Sequence, residues 1–134
     1  MICKTGAKEI PIRQFFITVF AFVLGGCNSA KDIGGVYHLI SDDPALKRVT
    51  LEIDGTRISG QGPCNRYFGS IAHSDTGSNN IQVGPLASTK MACPNLSAEH
   101  RYFQDLQGVS MVTVVPDGLV LTTSDQTKLV FKYR

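Results

Sequence analysis

Cys64 and Cys93, three histidines and a pair of adjacent aspartates are the residues of this chain whose types could carry chemistry. The two cysteines with two of His38, His73 and His100 would supply four zinc ligands by type, but the close paired spacing of structural zinc sites is missing. A nucleophilic cysteine beside a histidine is a further reading of the same residues. Asp42 and Asp43 are neighbours, so their side chains diverge in an extended chain and fit a turn better than a catalytic carboxylate pair. Gly60-Gln61-Gly62 begins like a dinucleotide fingerprint but lacks the third glycine and the strand-to-helix setting. No Gly-x-Ser-x-Gly elbow, zinc-binding histidine pair or phosphate loop occurs in the sequence. The expectation is a protein that is not an enzyme, with no cofactor and no bound metal. Arg66 and Lys90 could contact a ligand, and the plainer reading of both is a solvated charge.

The chemistry best marked lies at the N-terminus. A basic stretch ending at Arg13 precedes the apolar run from Phe15 to Leu24, which closes in Leu24-Gly25-Gly26-Cys27. Such a run is too short for a permanent span, which needs about 20 apolar residues, and fits a secretory signal. The Gly25-Gly26-Cys27 ending resembles the lipobox of bacterial lipoproteins. That resemblance implies cleavage after residue 26, acylation of Cys27 and a short tether over residues 27–32. Several acyl chains hold a protein at a bilayer surface, each buried methylene adding ~0.8 kcal/mol. The membrane is therefore the first expected partner. Asn28 and Ser29 differ from the aspartate that retains many lipoproteins in the inner membrane, so in a Gram-negative cell the outer membrane, facing the periplasm, is the expected location.

With Cys3 in the signal and Cys27 lipidated, Cys64 and Cys93 remain in a compartment that permits disulfides, and a bond between them is the expected state. Removing residues 1–26 leaves 108 residues, enough for one domain with a real core. The +2 net charge of the whole chain comes from Lys4, Lys8 and Arg13 against Glu9; the remainder has ten basic and ten acidic residues. A neutral domain without a run of Lys or Arg has no electrostatic footprint for nucleic acid.

The elements that must position these residues are mostly short strands. Val36–Ile40, Val49–Ile53, Arg57–Gly60, Asn65–Ile71 and Ile81–Val83 read as strands, and Asp54-Gly55 reads as a hairpin turn. His73–Asn80 is a polar loop. One helix is expected over 97–107, with Ser97 as N-cap, Gly108 at its end, and Leu96, Phe103 and Leu106 on its buried face. Val109–Val115, Leu119–Thr123 and Lys128–Tyr133 then form a meander. The expected fold is mainly β (α+β): a small antiparallel barrel or sandwich with one covering helix. Val112, Val114, Leu119, Leu121, Leu129 and Phe131 are expected to pack beneath Phe103 and Leu106.

Two stretches carry a family resemblance. Ile58-Ser59-Gly60-Gln61-Gly62-Pro63-Cys64-Asn65-Arg66-Tyr67-Phe68-Gly69-Ser70 is followed by Gly84-Pro85-Leu86-Ala87-Ser88-Thr89-Lys90-Met91-Ala92-Cys93-Pro94, then Glu99, Phe103 and Leu106. Together they resemble the META domain, the module of HslJ-type heat-shock lipoproteins, over about 34–131, with the domain drawn at 33–134. Gly60, Gly62, Asn65, Arg66, Gly69, Thr89, Met91 and Pro94 are the motif positions. The chain departs from the family in having Tyr37 where a tryptophan is common, and Pro63 where glycine is common. Read physically, Gly60, Gly62 and Pro63 suit a tight corner where glycine permits positive φ, with Asn65 bonding neighbouring backbone. The resemblance implies a non-catalytic envelope protein linked to stress tolerance and export. A periplasmic inhibitor acting on an envelope hydrolase through the His73–Asn80 loop is the second expectation.

Overall fold

Alternating apolar residues put one face of each strand into a shared core. The computed structural model describes residues 32–74 and 79–134. Its strands are β1 (Gly35–Ile40), β2 (Thr50–Asp54), β3 (Arg57–Gln61), β4 (Arg66–His73), β5 (Ile81–Val83), β6 (Ala87–Ser88), β7 (Val109–Val115), β8 (Gly118–Thr123) and β9 (Lys128–Tyr133). The helix α1 (Leu96–Gln107) lies between β6 and β7, and a single 3-10 turn, Pro44–Leu46, follows β1. The sheet order is β5-β4-β3-β2-β1-β9-β8-β7, with β6 added to β4. Each paired strand runs antiparallel to its partner.

The two ends of this sheet meet. Asn80 bridges to Met111, and the Val112 amide donates to the Asn79 carbonyl at 2.8 Å. The result is a nearly closed barrel with one helix, in line with the sequence expectation. Closure protects edges that would otherwise offer unpaired backbone groups.

Inside the barrel Tyr37, Leu51, Ile58, Leu119, Leu121 and Phe131 are almost fully buried. Such side chains each contribute about 1.5–3 kcal/mol by leaving water. Val112 and Leu129 join them as expected, whereas Val114 is only partly buried. Every core side chain among the described residues falls between Ile33 and Phe131. Among the described residues no helix is long and apolar enough to cross a membrane.

Several local expectations are corrected. The β2–β3 hairpin forms, but Asp54 pairs with Arg57, leaving Gly55-Thr56 rather than Asp54-Gly55 as the loop. The helix starts at Leu96 with Asn95 as N-cap, so Ser97 lies within the first turn. Gly108 does end it, donating its amide to the Gln104 and Asp105 carbonyls. The buried face consists of Ala98, Glu99, Tyr102 and Leu106. Leu96 is 45% exposed and Phe103 only partly buried. The helix is thus rotated by about one residue from the face expected, because Tyr102 reaches deeper into the barrel than Phe103. Residues 75–78 of the polar loop, and the whole signal and tether through Lys31 with Cys27, lie outside the described residues.

Candidate functional site

The two motif stretches lie far apart in sequence and are joined at Asn65. Glu99 is placed by α1 on the same buried face as Tyr102 and Leu106, three and seven residues further on, and is 4% exposed. Its Oε2 accepts the amides of Cys64 at 2.8 Å and Asn65 at 2.5 Å, and its Oε1 accepts the Asn65 Nδ2 at 2.7 Å. Asn65, 2% exposed, carries the tie onward. Its Oδ1 accepts the Thr89 hydroxyl at 2.9 Å and the Met91 amide at 2.7 Å, while its Nδ2 also donates to the Met91 carbonyl at 3.3 Å. Between the strands, the Thr89 amide donates to the Arg66 carbonyl, and the Arg66 amide to the Thr89 hydroxyl. A buried carboxylate and a buried amide are costly unless paired, and here each has a full set of partners. No buried side-chain polar atom among the described residues is left without a partner.

A disulfide between Cys64 and Cys93 closes the same junction, with 6.2 Å between the Cα atoms. By the chain-entropy treatment a loop of this length is worth about 3–4 kcal/mol. Both thiols are consumed in that bond, and His38, His73 and His100 lie on β1, at the end of β4 and on α1. Among the described residues no three of His, Cys, Asp and Glu come together as a metal set.

The motif glycines make room. Neither Gly60 nor Gly62 has positive φ, which corrects the reading of a left-handed corner. A Cβ on Gly60 would sit 2.1 Å from the Thr50 carbonyl oxygen and 2.9 Å from the Tyr67 hydroxyl. A Cβ on Gly62 would crowd the Asn65 carbonyl, the Glu99 carboxylate and the Phe103 ring. Asn65, likewise, bonds backbone some 26 residues away rather than its neighbours.

Behind the cross-tie, the Tyr67 hydroxyl donates to the Thr50 carbonyl at 2.7 Å and shares a 2.8 Å hydrogen bond with the Tyr102 hydroxyl. The rings of Tyr67, Tyr102 and Phe103 pack edge-on or tilted, with centroids 5.4–5.8 Å apart. Burial pushes the Tyr67 and Tyr102 phenols well above the ordinary range, and burial followed by the neighbouring Tyr133 does the same at Tyr37. A raised native value means that the folded state keeps these protons when the unfolded chain has lost them. The stabilisation is therefore complete below pH ~10 and declines as pH rises past it. Phenolate absorbance of the native domain should consequently lag that of the urea-unfolded chain in an alkaline titration. Overlaid curves would contradict the burial of these hydroxyls.

Outside the cross-tie a cleft of about 350 Å³ opens between α1 and the Ser88–Ala92 segment. Phe103 and Leu96 line it from the helix and Met91, 57% exposed, from the other side. Its polar back wall is Asn65 and Glu99, both already occupied by the bonds above. Of the motif residues, Asn65, Thr89 and Met91 line the cleft, and Gly62, Cys64 and Cys93 belong to the junction behind it. Gly60 lies in β3 beneath the Tyr67 hydroxyl, Gly69 in β4 against Leu86, and Pro94 is exposed ahead of the helix. Arg66 is exposed and faces away from the cleft, into a trough on the outside of the sheet; Lys90 is exposed at the cleft rim. The sequence alone does not assign these roles to Glu99, Tyr67 and Tyr102. The signal present was the 99, 102, 106 spacing, which puts a carboxylate on the apolar face of the helix.

A nearly closed barrel whose helix is tied through Glu99 to a junction of two motif loops, itself closed by a disulfide, defines a small, stapled β module. The META domain family matches residues 29–134, and the chain belongs to that family. Among solved structures, a protein from Burkholderia xenovorans determined by NMR is similar at 21% identity and a TM-score of 0.62, over 99% of each chain. A DUF4847 family protein from Bacteroides vulgatus is similar at 9% identity and a TM-score of 0.59, over 76% of this chain and 94% of its own. At these identities the likeness concerns the fold. A search of curated protein sequences gives no match.

Proposed function

We propose that this chain is a non-catalytic lipoprotein of the bacterial envelope that acts by binding and supports envelope integrity under stress. The observation that carries the non-catalytic part is the saturation of the motif site. Its one carboxylate, Glu99, spends both oxygens on the fold, and Asn65 and Thr89 complete the same network. A general base needs a free proton acceptor within reach of a substrate, and this carboxylate, at the back wall of the cleft, is 4% exposed with both oxygens engaged. The envelope part rests on the signal-like N-terminus and Cys27, supported by a disulfide of the kind that oxidising compartments allow.

Metabolic labelling with an acyl analogue tests the anchor. Wild type should take label and sediment with membranes; Cys27→Ser should take none and leave the membrane fraction, and should not restore stress tolerance to a strain lacking the protein. Equal label on both proteins would end the lipoprotein reading. A second reading, a partner of an envelope hydrolase, is favoured by the cleft, where the exposed Met91 and Leu96 beside Phe103 could seat an apolar side chain. Leu96→Asp should then abolish a crosslink to the hydrolase formed from position 91.

A further inference from the structure

We propose that the outward face of β1–β4 is a membrane-docking surface that takes anionic phospholipid headgroups. The domain is neutral as a whole, but its charges are segregated. Nine Lys and Arg and ten Asp and Glu lie between residues 32 and 134. Five of those cations, Lys47, Arg48, Arg57, Arg66 and Arg134, line one trough of about 1,110 Å³, and Glu52 is its one acidic side chain. All five are exposed. Among the described residues the single ion pair is Lys132 with Asp117, so none of the five is held in an ion pair, although Asp54 stands opposite Arg57 across β2 and β3.

Apolar side chains share this face. In register across the sheet run Val36, Glu52, Ser59 and Phe68, with Val36 at 41% and Phe68 at 56% exposure. An exposed phenylalanine among cations suits an interface of headgroups over acyl chains better than an acidic, fully hydrated partner. The way the chain enters the domain favours the membrane as occupant. The first strand begins at Gly35, Val36 lies on the rim of the trough, and the Arg134 amide donates to the Val36 carbonyl at 3.1 Å. Cys27 is eight residues from Gly35, a reach of at most about 29 Å. The part of the trough carrying Val36 and Arg134 therefore lies within a short chain length of the anchored residue. A lipid anchor and a basic surface together give firmer attachment than either alone. This orientation rests on the lipoprotein reading, whereas the affinity of the trough does not.

The test uses residues 28–134, which contain every core side chain of the described residues and both disulfide cysteines but not Cys27, so it is blind to whether Cys27 is modified. Co-sedimentation is measured with phosphatidylcholine vesicles with and without phosphatidylglycerol. Binding should require phosphatidylglycerol and weaken with added salt. Each basic residue near an anionic surface is worth about fivefold, so Arg57→Gln with Arg66→Gln should lower partitioning roughly 25-fold. Arg101→Gln with Lys128→Gln, off the trough, should leave it unchanged. Equal binding to neutral vesicles, or equal losses in the two double variants, overturns the proposal. Binding of soluble polyphosphate without binding to vesicles overturns it too, and reassigns the trough to a free polyanion.

Discussion

Glu99→Leu should destabilise the domain by about 4–6 kcal/mol, close to the whole stability of many small proteins. Three donors lose their acceptor at once: the amides of Cys64 and Asn65 and the Asn65 side-chain amide. Each buried donor left unpaired costs about 1–3 kcal/mol. The loss would then spread, because Asn65 also holds Thr89 and Met91. Glu99→Gln is the sharper probe. It keeps the shape and one acceptor oxygen but turns an amide NH2 towards protein donors, and should cost about 2–3 kcal/mol. Denaturant unfolding with an unchanged m-value measures both. Wild-type stability in Glu99→Leu would mean that the junction is held by the disulfide alone.

The second large effect is expected at Tyr102. Tyr102→Ala removes a ring that is 2% exposed and packed on Tyr67 and Phe103, and should cost about 4–5 kcal/mol through lost burial and a residual cavity. Tyr102→Phe keeps the ring, and the Tyr67 hydroxyl keeps the Thr50 carbonyl as acceptor. Its cost should be about 0.5–1.5 kcal/mol. Phe103→Ala should fall between these, near 2 kcal/mol, because the ring is partly exposed along the cleft. Arg101→Ala, on the exposed side, should stay within ~0.5 kcal/mol. If Phe103→Ala proved costlier than Tyr102→Ala, the orientation of the helix described here would be wrong.

The order of these effects marks where reading the sequence stops. Strand alternation and turn residues locate the strands, because a side-chain period of two is a local property. The helix, too, is visible in its punctuation, but not its rotation. Leu96, Phe103 and Leu106 are the apolar choice on a helical wheel, and the barrel instead takes Tyr102 and Glu99 because partners wait for them inside. Tyr102 finds the Tyr67 hydroxyl, and Glu99 finds two backbone amides. A polar residue becomes core only when another segment supplies its hydrogen bonds, and nothing within the helix records that segment.

By itself the sequence determined the barrel-with-helix class, the family, and the pairing expected of Cys64 and Cys93, since each follows from local pattern or from motifs in order. A lipid anchor at Cys27 is an expectation from the sequence and belongs to the proposed function. Tertiary structure alone decided that Asn65 bonds across to Met91 instead of its neighbours, and that Gly60 and Gly62 serve by leaving space instead of by unusual φ. It also decided that Lys47, Arg48, Arg57, Arg66 and Arg134 share one face of a chain with no basic run. The reason is common to all three. Hydrogen bonds, close approaches and charge fields depend on distance in space, and in an antiparallel barrel that brings β1 against β9, such distances are set by strand pairing between residues far apart along the chain.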